Sequence, residues 1–246
     1  MRPEADLVPV QGGNNAGHTI SHNGQSYHFV SLTGPYYYQP LNLVAKHLLP
    51  SGLMNPRAIN LIGSGVVVHV PSFFEELIDL EHKGLENVRE RIFISDRCHV
   101  VSDLHIRVDG LEELELCGNS IGTTKRGIGP CYSTKAARSG IRIGDIFSKE
   151  LFDRKIRELA RGYKLRFGAL LDDYNVESEI SNFDVGPYDL CDCDMLMLHQ
   201  IFRTELVQYV VDAIPLMASA QQDDLDMVIE GANALLLGKS QHSTNY

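Results

Sequence analysis

The alternation of apolar and polar positions divides the chain into strand-like and helix-like stretches. Residues 18–30, HTISHNGQSYHFV, alternate on either side of Asn23-Gly24. That dipeptide accepts the positive φ angles of a two-residue turn, so the pattern predicts a β-hairpin near the N-terminus. Residues 59–70, INLIGSGVVVHV, form a nearly continuous β-branched run, which predicts a strand buried on both faces and therefore helices on each side of a sheet. A helix is expected to open at Pro71 and Ser72, with Ser72 and Glu75 spaced as a capping box and Gly84 as the stop. RIFIS at 91–95 reads as a further strand. From Ser148 onward, Phe152, Ile156, Leu159, Tyr163, Phe167 and Leu170 recur at intervals of three and four, the signature of a long amphipathic helix. A second helical pattern covers 195–213. DDLDMVIEGANALLL, residues 223–237, reads as a loop, a short buried strand ending near Ile229, and a glycine turn at the strand's carboxyl end, where open sheets hold ligands. The expected fold class is α/β: a mostly parallel central sheet flanked by helices, with an N-terminal β-hairpin.

Composition narrows the function classes. The chain has 246 residues, 43% of them hydrophobic, enough for one sizeable core or two small ones. Its 32 acidic and 22 basic residues leave a formal charge of -10. That balance argues against a general nucleic-acid binder, which needs Lys and Arg over a whole face. Five scattered cysteines, an odd number without a signal peptide, point to a reducing compartment. No apolar run approaches the ~20 residues that span a bilayer, so the expected location is the cytosol.

Against this acidic background, residues 121–144 stand apart. IGTTKRGIGPCYSTKAARSGIRIG carries Lys125, Arg126, Lys135, Arg138 and Arg142 and no acid. Its glycines, Gly122, Gly127 and Gly129, would let successive backbone N–H groups converge on one anion, with threonine hydroxyls beside them, as for a phosphorylated small ligand. Gly122 and Gly127 have the spacing of a Walker loop, but Ile128 and Gly129 stand where Lys and Ser or Thr are required. A second unusual stretch, QGGNNAGHT at 11–19, follows the apolar LVPV run and sets His18 among glycines. The other nine histidines (His22, His28, His47, His69, His82, His99, His105, His199 and His242) read as ordinary surface or core imidazoles. The cysteine and aspartate cluster at 189–194 has no second thiol pair and reads as a surface loop rather than a zinc site.

Five ordered blocks carry a family resemblance: QGGNNAGHT, LLPSG at 48–52, NLIGSGVVVHVPSFF at 60–74, GIGPCYSTKAAR at 127–138 and IEGANALLL at 229–237. Together they resemble adenylosuccinate synthetase, in a fungal form. The resemblance implies a homodimeric ligase that joins IMP to L-aspartate using GTP and Mg²⁺, by way of a 6-phosphoryl-IMP intermediate. It also implies residue roles. Asn15, Ala16, Gly17 and His18 would line the IMP site, and Gly17, His18 and Thr19 would lie beside the GTP phosphates. The Gly17 carbonyl would touch Mg²⁺ and His18 would be the general acid. Thr124 would contact the IMP phosphate, Lys135 belongs to the active-site signature, Arg138 would reach the neighbouring subunit's IMP, and Asn233 would offer its amide to IMP.

The same resemblance marks departures. Family members begin with a buried strand and a QWGDEGKG loop that supplies the general base; MRPEADLVPV stands in that place, so a central strand is expected to be missing. Residues 30–47, with the tyrosines at 36–38, read as an insertion, and 238–246 as a divergent tail. The whole, 1–246, reads as a single partial domain, truncated relative to the family. The alternative function is a non-catalytic, IMP-binding or dimerising remnant that pairs with a full-length subunit. A weaker alternative is an unrelated binder of phosphorylated nucleotides.

Overall fold

The computed structural model describes residues 7–11, 18–22, 25–29, 49–116, 124–184 and 202–231. The insertion at 30–47, the cluster at 189–194, Asn233 and the tail at 238–246 lie outside these residues.

Five parallel strands form the central sheet: β1 (Leu7–Gln11), β4 (Ile59–Ile62), β6 (Ile92–Ser95), β8 (Val210–Val211) and β9 (Glu230–Gly231), in the order β8-β6-β4-β1-β9. The expected loss of a central strand is corrected here. Leu7–Gln11 fills that position, pairing Leu7 with Ile59 and Val10 with both Ile62 and Glu230. Its Pro9 gives up one ladder donor opposite Leu61. The hairpin is present as β2 (His18–His22) and β3 (Gln25–Phe29), antiparallel, with His22 paired to Gln25 across a two-residue connection.

The two-residue period of the strands assigns side chains to two faces. Ile62, Ile92 and Ile94 join the main core, whereas Ile59, Leu61, Phe93 and Val211 pack with Ala213 and Ala220 on the other face. The fully buried aliphatic side chains among these, Leu61, Ile62, Ile92 and Ile94, each contribute roughly 1.5–3 kcal/mol. The predicted single strand at 59–70 is instead two. Ile59–Ile62 ends at a Gly63-Ser64-Gly65 turn, closed by Val66 N–H donating to the Gly63 carbonyl at 2.9 Å. β5 (Val67–Val68) then pairs in a separate parallel ribbon with β7 (His99–Val100).

Helix α1 (Val70–His82) begins earlier than expected, with His69 as its N-cap and Pro71 in its first turn. The Ser72 capping box does not form, because the Ser72 hydroxyl bonds His69 Nδ1 at 2.8 Å. The predicted stop holds: Gly84 has φ +85°, its N–H reaches the Glu81 carbonyl, and Leu85 N–H reaches that of Leu80, a Schellman ending. Next come α2 (Asp103–Glu115), α3 (Ile128–Ala136) and α4 (Lys149–Phe167). On α4, Phe152, Ile156, Leu159 and Phe167 are buried as the spacing predicts, but Gly168 ends the helix and Leu170 lies exposed beyond it while Leu171 is buried. The pattern at 195–213 breaks up: α6 (Phe202–Leu206) is short, β8 follows, and α7 (Ala213–Gln222) covers the second face; 195–201 lie outside the described residues. The last strand is Glu230–Gly231 rather than a buried run ending at Ile229, which is exposed. Ring contacts chain Tyr209, Phe73, Phe74, Phe202, Phe183 and Phe152 together, tying α1 and α4 to α5 (Val176–Asp184) and α6.

One buried acid makes the fold sensitive to pH. Glu179 of α5 accepts from the Asp103 N–H at 3.0 Å, at the start of α2, and from the Tyr174 hydroxyl. Burial pushes its carboxyl up to about 7. A raised carboxyl holds its proton more tightly in the folded state, so its contribution is full below the unfolded value and is lost as pH rises through about 7. Glu179→Gln should therefore flatten the stability profile. The wild type, measured by urea denaturation against the variant, should lose about 2 kcal/mol relative to it between pH 5 and 8. Parallel profiles for the two proteins would show that Glu179 is ionised at neutral pH in the fold.

Candidate functional site at the carboxyl edge of the sheet

From β1 the chain steps outward through β4, β6 and β8, and then β9 returns to the other flank of β1. Strand order reverses at β1. Open parallel sheets hold their ligands beyond the carboxyl ends of the strands at such a reversal. Gln11, the last residue of β1, is paired with Gly231 there. QGGNNAGHT starts at this point; 12–17, with Asn15, Ala16 and Gly17, lie outside the described residues. His18 and Thr19 reappear as the first residues of β2, where His18 is paired with Phe29.

Helix α3 carries the basic island to the same edge, and its start is set by close packing. Gly127 is left-handed, φ +75°, and a Cβ there would lie 2.7 Å from the backbone of His105 and Ile106 in α2. Its N–H donates to Asp109 Oδ2 at 2.9 Å. The expected anion cradle therefore does not include this amide, which a carboxylate already occupies. Eight residues further along, Lys135 Nζ donates to the Ser64 and Gly65 carbonyls at 2.9 and 3.3 Å, and the Tyr132 hydroxyl donates to Gly65 at 3.0 Å. The helix is thus clamped onto the turn that follows β4.

The charges of the island do not converge on one point. Lys135 and Arg142 line a cleft of about 530 Å³ with Ser64 and His99. Arg138, exposed and left-handed at φ +63°, lines a different cleft of about 450 Å³ with Ser139, Lys155, Tyr163 and Arg166. The turn from α3 into Ser139 and Gly140 sends the two sets of side chains apart. Thr124 is half-buried ahead of α3. A third cleft, about 470 Å³ and bordered by Leu61, Gly63, Met217 and Ile229, sits at the carboxyl end of β4.

The plain reading of His105 fits its surroundings. Its ring meets Ser102 and Thr134 at 2.9 and 3.2 Å, and burial lowers it to about 4, keeping it neutral. His69 is held by Ser72 and Asp103. His99 is different: it is also lowered to about 4, by burial and then by Lys135 and Arg142, yet its buried Nδ1 has no hydrogen-bond partner among the described residues. Cys98 and Cys131 are buried thiols pushed up to about 12, so neither is an activated nucleophile. Sequence reasoning missed the Gly63-Ser64-Gly65 turn as the anchor for Lys135. Its signal was the GSG triplet, which interrupts the β-branched run.

These features define an open parallel α/β protein with a basic, glycine-bounded helix at the carboxyl edge of its sheet. The family model for adenylosuccinate synthetase matches residues 2–244, and the chain belongs to that family. Curated relatives from Neurospora crassa and Sordaria macrospora, both adenylosuccinate synthetases, are each 53% identical over 236 residues, 96% of this chain and 47% of theirs. A solved structure of fully ligated adenylosuccinate synthetase from Plasmodium falciparum superposes with a TM-score of 0.70 at 30% identity, covering 95% of this chain and 46% of that one. The chain spans about half the length of the curated relatives it matches.

Proposed function

We propose that this chain supplies the IMP-handling part of a GTP-dependent ligase that joins IMP to L-aspartate to form adenylosuccinate, acting as a cytosolic homodimer. The observation that supports this reading most directly is that β1, at whose last residue QGGNNAGHT begins, ends at the strand-order reversal beside β4, and the turn that follows β4 anchors the basic helix. In this reading Asn15, Ala16, Gly17 and His18 line IMP, and Gly17, His18 and Thr19 flank the phosphates of GTP. Phosphorylation of the C6 oxygen builds negative charge on that oxygen and on the moving phosphoryl group. His18, held at the start of a paired hairpin, donates a proton there. Thr124 contributes a hydroxyl to the IMP phosphate, Asn233 an amide to IMP, and Arg138 a planar fork to the IMP of the neighbouring subunit. Lys135 already spends two of its three donors on the Ser64 and Gly65 carbonyls, so its first role is to hold α3 against the sheet.

The resemblance also implies Mg²⁺. Among the described residues no three His, Cys, Asp or Glu side chains come together as a metal site, and a single carbonyl from Gly17 does not make the octahedral oxygen shell this ion demands.

Calorimetry tests the assignment. Arg138→Ala and Thr124→Ala should each weaken IMP binding, by up to ~3 kcal/mol where a charge-assisted contact is lost. Equal IMP affinity in the wild type and both variants would remove Thr124 and Arg138 from the site.

A further inference from the structure

Beyond the ligase reading, and independently of it, we propose that the cleft between β7 and the end of α3 is a binding site for a phosphate-type oxyanion, separate from Thr124 and Arg138. The central observation is His99. It lines this cleft, only 7% of the residue is exposed, and Nδ1 is buried without a hydrogen-bond partner among the described residues. Buried polar atoms in folded proteins are nearly always paired, so an orphaned ring nitrogen in a residue that lines a cleft points to a partner outside the described residues, and the cleft beside the ring is where one can enter.

The backbone places a cation beside it. Ile143 N–H donates to the Cys98 carbonyl and Val100 N–H to that of Ile141, both at 2.8 Å, making His99 and Arg142 directly opposed residues of an antiparallel bridge. Opposed residues share one side of the ladder, with their side chains adjacent. Arg142 is exposed, and its planar guanidinium is a fork suited to bidentate contact with an oxyanion. Lys135 Nζ keeps one donor after its two carbonyl bonds, and Arg97 stands on the same cleft.

Two carboxylates also border the cleft, and one is already neutralised. Asp145 accepts from Lys155 Nζ at 2.6 Å and from the Arg142 N–H at 2.7 Å. Asp96 lies 3.8 Å from the Arg97 guanidinium. Arg97 is shared between Asp96 and Asp212, the latter at 3.7 Å, so Lys135 and Arg142 are the cations whose charge is left to favour an anion. The walls are preset. Gly144 N–H donates to the Asp96 carbonyl at 2.8 Å, and Gly140 packs so closely on the His99 ring that a Cβ there would meet Cδ2 at 2.8 Å. A neutral imidazole carries one N–H, and an oxyanion at Nδ1 would select the tautomer that places it there.

The experiment is a titration of the ¹⁵N-labelled chain with inorganic phosphate, in phosphate-free buffer at fixed ionic strength, following the His99 ring nitrogens by NMR. A saturable shift with the proton settling on Nδ1 is expected. Arg142→Ala, an exposed change that spares the fold, should weaken the binding at least about tenfold. His99→Leu should abolish the ring-dependent part, and His99→Gln, which keeps a donor in place, should restore most of it. A parallel titration with IMP separates the sources. The same shifts at lower concentration assign the site to a nucleotide phosphoryl group; shifts with phosphate alone assign it to the free ion. Three outcomes overturn the proposal: no saturable shift, equal affinity in wild type and Arg142→Ala, or binding that depends on Arg138 but not on Arg142.

Discussion

Replacing Gly127 with alanine should cost about 4 kcal/mol of stability, among the larger effects available to a single methyl group. Two penalties combine. At φ +75° an alanine sits in the left-handed region, where its Cβ crowds its own carbonyl. That same Cβ would stand 2.7 Å from the His105 carbonyl carbon and the Ile106 nitrogen, both backbone atoms of a helix that cannot yield a few tenths of an ångström locally. Relief would require α3 to lift from α2, breaking the Gly127–Asp109 bond and loosening the Lys135 anchor at the sheet edge. Gly129→Ala is the internal comparison. It lies two residues away, inside the helix, with nothing within 4 Å of the added carbon, and should be neutral or stabilising by roughly 0.5–1 kcal/mol. The measurement is the urea midpoint at unchanged slope. Equal midpoints for the two variants would show that the α2–α3 contact is softer than its geometry requires.

Gly127 also illustrates what the sequence could and could not disclose. A glycine in a basic stretch invited the idea of a phosphate cradle, but whether its N–H faces a ligand or an acid depends on Asp109, eighteen residues away on another helix. Local composition does not encode that choice. The hairpin was legible because alternation and Asn23-Gly24 specify it within thirteen residues. The same holds for the apolar stripe of α4 up to Phe167, whereas Leu170 continued the spacing after Gly168 had already ended the helix. INLIGSGVVVHV misled because β-branched residues on both sides of GSG outweighed the break, and only the pairing of β5 with β7 separates the two runs. The apolar LVPV run was discounted for lacking the family's strand and loop; its register against β4 shows that four apolar residues suffice to occupy a central position. His99 was unreadable as anything unusual. Its interest comes from an opposed Arg142, forty-three positions away, and from a nitrogen unpaired among the described residues.

His18 carries the largest kinetic prediction. If the proposed function holds, a chimera of this chain with the remaining segments of the Neurospora crassa relative that makes adenylosuccinate should lose kcat by about 10²- to 10³-fold on His18→Ala. The IMP dissociation constant should change by no more than about threefold. The asymmetry follows from where charge appears. Ground-state IMP presents a neutral carbonyl at C6, to which an imidazole adds little. As the phosphoryl group transfers, negative charge grows on the oxygens it bridges, and a fixed N–H donor stabilises that state selectively. Fixation is the condition, and the hairpin provides it: His18 opens β2 and is paired with Phe29, so its backbone is held by a two-stranded ladder rather than by a free loop. Loosening the ladder should mimic loss of the ring in part, which separates the role of position from that of the proton. His18→Asn, which keeps a donor but cannot carry a positive charge, should recover only a fraction of the rate. Matched losses in kcat and IMP affinity would instead make His18 a binding residue and move the acid elsewhere in the site.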